Sequence, residues 1–341
     1  MKLFDQVIDF GNLHAAYLDA RSCKRYRSSI LRFGYQLEDN LLALQGELMQ
    51  KTYRHGGYRE FVVHDSKKRL IKAAPFRDRV VHHALCNVIE PILERGFIFD
   101  SYACRKRKGT HAAIKRLEYF ITSLRSRTKE NIEVQPRHAR RRIYCLKCDI
   151  SKYFDSVDHE TLLAALRRKI SDEDVLWLLQ GIIESSPQGI PIGNLTSQLF
   201  ANVYLNELDH FVKRELRERY YIRYMDDFLM LGTDKKRLRE TKESVTVFLR
   251  DRLKLAMHPR KAEIFPIDRG IDFLGYVLRD GRRFLRTSTV KRFIKKRRRY
   301  EAMVMRGTLD ERSLALAVAS WSGYAAFARL YLSRFNPNMP R

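Results

Sequence analysis

Apolar positions along this chain follow two rhythms. In RLIKAAPFRDRVVHHALCNVIEPILERGF, which starts at Arg69, Pro75 stands ahead of a predicted helix whose apolar face is Val80, Val81, Ala84, Leu85, Val88 and Ile89. The same helical period predicts a helix capped near Asp158 with Leu162, Leu163 and Leu166 inward. It predicts a long one with Phe200, Val203, Tyr204, Leu208, Phe211 and Val212 on one face, and another with Val245, Phe248, Leu249 and Leu253. Strand-like runs lie between them. Arg142-Ile-Tyr-Cys-Leu-Lys-Cys-Asp149-Ile150 is an apolar strand ending in an acid. Tyr220 to Tyr224 and Phe228 to Leu231 form the arms of a tight hairpin, and Ile271 to Leu278 is a second hairpin candidate. Residues 1 to about 60 read as helical with a loop near Gly56-Gly57, and residues 123–142, Arg-rich around Pro136, as a long basic loop. Beyond about residue 285 the pattern is all helical.

Length and composition add domain-scale bounds. The 341 residues allow about two or three domain-sized units, and 45% hydrophobic content supports real cores. The formal net charge is +26, from 66 Lys+Arg against 40 Asp+Glu, which points to a polyanionic partner, most often nucleic acid. A membrane surface is the alternative for basic patches, but no apolar run reaches ~18 residues and no signal-peptide core is present. Five cysteines argue against a disulfide framework and for a reducing compartment, the cytoplasm. Cys145-Leu-Lys-Cys148 has no second pair and sits in an apolar run, so these are expected to be core thiols.

The charge is clustered. Lys72, Arg77 and Arg79 gather at one helix entry, and Arg105 to Lys108 precede Gly109 and a helix from about Thr110. Either cluster could grip phosphate or be a solvated helix end. From Arg282 to Arg299 there is no acid, and Val290, Phe293 and Ile294 give that helix an apolar stripe that leaves its basic face, with Lys295 and Arg298, open to a duplex backbone.

The chemistry concentrates on acids at strand edges. Tyr224-Met225-Asp226-Asp227 sets two adjacent carboxylates at a hairpin tip, where an ordinary turn competes with a site for Mg²⁺ held beside substrate phosphates. Asp149, at the end of its own strand, is the natural third member. Nucleotidyl transfer uses one ion to activate a 3′-hydroxyl and a second to stabilise leaving pyrophosphate, about 3.5–4 Å apart, so carboxylates on neighbouring strands suit it.

In this order the motifs resemble a reverse transcriptase over roughly residues 60–280. The resemblance implies an α+β right-hand polymerase fold: an N-terminal helical extension over 1–60, fingers over 61–141, a palm over 142–280 with a helical part at 156–186, and a basic helical thumb over 281–341. It implies two Mg²⁺ ions, with Mn²⁺ as a substitute, on Asp149 and Asp226, with Asp227 in support and the Ile150 carbonyl as a further ligand. Phe154 stands where such enzymes have an aromatic gate against a 2′-hydroxyl, and Lys261 where they have a lysine that protonates pyrophosphate. Arg105, with Lys72 and Arg77, falls near the incoming triphosphate, Phe273, Gly275 and Tyr276 resemble a primer grip, and Lys295 and Arg298 would meet the duplex.

A narrower resemblance lies in Ile192-Gly193-Asn-Leu-Thr-Ser197-Gln198. Group II intron-like enzymes carry Gln-Gly-Gly-x-x-Ser-Pro there, and Ile in place of Gln, followed by Ser-Gln, is similar to the reverse transcriptases of diversity-generating retroelements. A Gln amide hydrogen-bonds directionally near the incoming nucleotide, whereas Ile offers shape alone, so discrimination would fall by ~1–3 kcal/mol. The resemblance implies a bacterial or phage enzyme that copies a template-repeat RNA into cDNA from deoxynucleotides, with errors at template adenines. It also implies an accessory small basic helical oligomer as partner. A retron or group II intron-type enzyme and a non-catalytic RNA-binding relative are the competing readings.

Overall fold

The structure, a computed structural model, describes residues 2–64, 68–130 and 142–328. Its N-terminal part is helical as the pattern predicts: α1 (Leu3–Ile8), α2 (Phe10–Ala20), α3 (Ser28–Tyr35) and α4 (Leu37–Met49). A two-stranded antiparallel ribbon follows, β1 (Arg59–His64) and β2 (Lys68–Ala73), which the sequence pattern does not disclose. Phe61, Val62, Val63 and Leu70 are all exposed on it, so the ribbon lacks the one-sided burial that makes a strand legible. Pro75 then caps α5 (Phe76–Glu94), whose Val80, Val81, Ala84, Leu85 and Ile89 are buried against the N-terminal helices. α6 (Thr110–Glu130) starts where expected but runs on through residues 123–130, which the sequence reading assigns to a loop. Residues 131–141, including Pro136, lie outside the described residues.

The centre of the fold is a four-stranded antiparallel sheet. It consists of β3 (Tyr144–Asp149), β4 (Tyr221–Tyr224), β5 (Asp227–Gly232) and β6 (Glu263–Pro266), in the order β4-β5-β3-β6. Between β3 and β4 come α7 (His159–Arg167), capped by Asp158, α8 (Glu173–Glu184), capped by Asp172, and α9 (Leu195–His210). α10 (Lys235–Leu253) follows β5. Side chains alternate between the sheet's two faces. Leu146, Cys148, Tyr221, Phe228 and Met230 join the core built on the helices, whereas Cys145, Ile222, Leu229 and Leu231 join a second core with α6. Burial on both faces is why these strands read as continuous apolar runs. Cys145 and Cys148 are free, fully buried thiols pushed up by burial, Cys148 to about 12, as core cysteines should be.

The second hairpin candidate is part of a three-stranded sheet, β7 (Ile271–Phe273), β8 (Tyr276–Arg279) and β9 (Arg282–Leu285), so the tail becomes helical only after β9. α11 (Thr287–Met305) and α12 (Glu311–Ala326) then pair, with Phe293 stacked on Trp321 at 4.3 Å. Among the described residues no helix is long and apolar enough to cross a membrane.

Candidate active site

Two strands bring the acids together. Asp149 ends β3 directly opposite Asp227, the first residue of β5, and shares a sheet face with Lys147. The β4–β5 turn is closed by Met225 in the left-handed region (φ 57°) and by Asp226, whose carbonyl accepts from the Ile150 N–H at 3.3 Å. Residues 256–258 are held beside the end of β3: Ser151 N–H donates to the Ala256 carbonyl at 2.9 Å and His258 N–H to that of Asp149 at 2.8 Å. That loop delivers Lys261, whose Nζ sits 2.6 Å from Asp149 Oδ2.

The electrostatics suit a hard cation. Asp227 keeps 24% of its side-chain surface, with Lys147 Nζ 3.8 Å from Oδ2. Its Oδ1 is buried without a hydrogen-bond partner. Burial pushes this carboxyl up to about 7; Asp149 and Asp226 add to the rise, and Lys147 and Arg286 oppose it. Among the described residues no three metal-ligating side chains form a ready-made cage. Ammonium groups of Lys261 and Lys147 instead lie by the carboxylates, and oxygen donors of this kind, one of them orphaned, fit Mg²⁺. A raised carboxyl favours the folded state at low pH and loses that advantage as pH rises through about 7. In metal-free protein the advantage is complete only below the ordinary carboxylate range, so Asp227→Asn is expected to raise Tm by a few degrees at pH 8 and by well under half as much near pH 5. Thermal melts at the two pH values check this, and a Tm gain of equal size at both would refute it.

The residues expected around the incoming nucleotide divide into two groups. Phe154, half-buried in a 3₁₀ turn at Tyr153–Ser156, meets Tyr153 edge-on at 5.5 Å, and its carbonyl accepts from Ile190 N–H at 2.9 Å. Two residues on, the Ile192 carbonyl accepts from the Lys72 N–H at 3.0 Å, so the β1–β2 ribbon docks on this loop. Gly193 is needed there: at φ 123° a Cβ would come within 2.8 Å of Ile71 Cγ2. Gln198 is exposed in the first turn of α9. Thus Phe154, Ile192, Gly193 and Lys72 adjoin one loop, although the Lys72 ammonium lies 3.6 Å from Glu60 across the ribbon.

Arg105 and Arg77 stand in ion pairs. Arg105, with 6% of its side chain exposed, is clamped by Glu94 at 2.8 and 3.0 Å from Nε and by the carbonyls of Ile98 and Ser101 at 2.7 and 2.8 Å. Arg77 pairs with Glu47 and lies over the Tyr53 ring. The Arg105 guanidinium ties the loop before α6 to α5, and Arg77 links α5 to α4. Phe273 and Tyr276 are likewise fully buried, Tyr276 donating to the Tyr324 carbonyl at 2.9 Å, which leaves the Leu274-Gly275 turn as the accessible part of the expected primer grip. Lys295 and Arg298 are exposed on α11, as expected of a basic face.

One group was not anticipated from sequence. Beneath the hairpin, Arg223 and Asp209 form an ion pair with both side chains at 0% exposure. Arg223 Nε and one terminal nitrogen reach the two Asp209 oxygens at 2.7 and 2.6 Å. The other terminal nitrogen reaches Asn202 Oδ1 and the Met225 carbonyl, each at 3.2 Å. Two signals were available: an Arg inside the apolar run Tyr220-Tyr-Ile-Arg-Tyr224, and Asn202 and Asp209 seven residues, or two turns, apart and so on one side of the same helix.

Comparison with known proteins fits this geometry. Residues 63–278 match the reverse transcriptase (RNA-dependent DNA polymerase) family. Protein YkfC of Escherichia coli K12 is 27% identical over 321 residues, covering 81% of this chain and 77% of its own length. The group II intron-encoded protein LtrA of Lactococcus lactis subsp. cremoris is 24% identical over 305 residues, covering 68% of this chain but 47% of LtrA, so the chain spans about half of that relative. The fold is also similar to telomerase from Candida albicans, solved with a fragment of telomeric RNA, with a TM-score of 0.51 and 10% identity over 73% of this chain and 51% of that one. With the family matched from the β1–β2 ribbon through β8, and with Asp149 and Asp227 paired at the ends of β3 and β5 beside Asp226, this chain belongs to the reverse transcriptases.

Proposed function

We propose that this chain copies an RNA template into cDNA by nucleotidyl transfer at Asp149, Asp226 and Asp227, as the mutagenic reverse transcriptase of a diversity-generating retroelement. The observation that carries the chemistry is the register of β3 on β5, which sets Asp149 opposite Asp227 with the Asp226 carbonyl bonded to Ile150 N–H. Divalent ions bound by these carboxylates would activate the 3′-hydroxyl and neutralise charge at the phosphates. The chain's own groups supply the rest. Lys261, now on Asp149, is a proton donor within reach of the acids for departing pyrophosphate. Phe154 offers a flat wall against a 2′-hydroxyl, which would favour deoxynucleotides. The exposed cations of α11 suit the backbone of an RNA–cDNA duplex, and the excess charge suits a structured RNA and its accessory oligomer.

The mutagenic part rests on Ile192. Lacking an amide, it contributes shape but no directional hydrogen bond beside the nascent pair. Primer extension on RNA, with errors scored by template base, is the test. Wild type should misincorporate most at adenine, and Ile192→Gln should reduce the error frequency by roughly 5- to 100-fold. Uniform high fidelity in the wild type would sink this reading. The likeness to LtrA supports a second one, a group II intron-type enzyme; specific co-purification of a structured intron RNA with the protein would favour it.

A further inference from the structure

Arg223 does more than fill the core. We propose that it is a positioning residue for the catalytic hairpin: its guanidinium, locked on α9 by Asp209 and Asn202, holds the Met225 carbonyl and thereby sets the direction in which Asp226 leaves the turn. The inference rests on the reading that Asp226 serves the polymerase reaction.

Three observations carry it. Met225 is not glycine, yet the two-residue turn between the paired Tyr224 and Asp227 sets its φ at 57°, a conformation that is costly for a residue with a side chain and gains from being held. A contact that can hold the turn is present, because Arg223 donates to the Met225 carbonyl at 3.2 Å. Arg223 is itself fixed on every side. Asp209 takes two of its nitrogens and Asn202 accepts from the third. Tyr221 Oη donates to Asp209 Oδ1 at 2.7 Å, and Asn202 Nδ2 donates to the Ala103 carbonyl at 2.9 Å.

The backbone of Arg223 ties in the segment before α6 as well. Its N–H donates to the Asp100 carbonyl at 2.9 Å, and its carbonyl accepts from Tyr102 N–H at 3.0 Å. One residue therefore joins α9, the 100–103 segment and the turn that presents the acids. Only a planar fork can meet the two Asp209 oxygens, Asn202 and Met225 at once; a lysine ammonium is a point donor on a flexible stem.

A purely structural ion pair makes a different prediction, because apolar replacement of a buried pair often preserves stability. Two variants separate the readings: Arg223→Lys, and the double change Arg223→Met with Asp209→Leu. Arg223→Lys should lower kcat for deoxynucleotide incorporation by roughly 10- to 100-fold, with KM for the nucleotide and affinity for primer–template within about threefold. The double variant should melt close to wild type and still show the kcat loss. A double variant that melts and turns over like wild type overturns the proposal. If the double variant does not fold, a folded Arg223→Lys with wild-type kcat overturns it.

A readout independent of activity is the ¹³C-methyl NMR signal of Met225 in metal-free protein, assigned with Met225→Leu. Arg223→Lys should shift or broaden it, and an unchanged signal counts against the proposal even if the polymerase assay is blank. Failure of the underlying reading looks different: wild type and Asp226→Asn would incorporate deoxynucleotide equally, while the Met225 signal would still report on the turn.

Discussion

Asp226→Asn is expected to lower deoxynucleotide incorporation by on the order of 10³-fold or more while leaving affinity for template RNA within about twofold. The substitution is nearly isosteric and keeps the backbone carbonyl that accepts from Ile150 N–H, so the β3–turn connection survives. What it removes is one negative charge from a cluster in which Asp149 and Asp226 already press on Asp227. A hard divalent ion held there would have one anionic oxygen ligand fewer, and with it less hold on the charge that would neutralise the phosphates. RNA affinity has a different origin. It draws on an excess of 66 basic over 40 acidic residues, and removing an acid does not weaken that attraction. Parallel measurements of single-turnover extension and filter binding decide the matter. Loss of both together would mean that Asp226 holds the fold rather than the reaction.

What could be read in the sequence was whatever is locally encoded. A strand ending in Asp149, a hairpin tipped by Asp226 and Asp227, and a helix cap at Asp158 each lie within a few residues of the pattern that signals them. What could not be read depends on partners far along the chain. The run Arg105 to Lys108 has the composition of a phosphate grip, but Glu94, eleven residues upstream at the end of α5, takes the Arg105 guanidinium. Phe273 and Tyr276 sit in a motif that suggests contact with a primer, but the sheet they belong to packs under α12, which turns both side chains inward. The β1–β2 ribbon is missed for the opposite reason, since it buries so little that its strands carry no burial rhythm. Local charge thus marked where cations are, whereas tertiary packing decided which of them remain available.

The same distinction governs the largest expected loss of stability, Asp209→Ala. Asp209 and Arg223 are both fully buried, and the Asp209 carboxylate holds the Arg223 proton more firmly even though burial pulls the other way. Arginine cannot escape by deprotonation, so removing Asp209 leaves a cation in the core with its main counter-charge gone. Tyr221 Oη loses its acceptor at the same time. Breaking one side of a buried pair typically costs about 3–5 kcal/mol, which for a chain of this size corresponds to a fall in Tm of about 4–7 °C. Replacing both partners with apolar residues removes the stranded charge, and most of that loss should then be regained. Calorimetry of Asp209→Ala beside the Arg223→Met, Asp209→Leu double variant tests the account. A single variant that melts within about 2 °C of wild type would mean that water or another acid reaches Arg223, and the core under the hairpin would then be more open than its packing indicates.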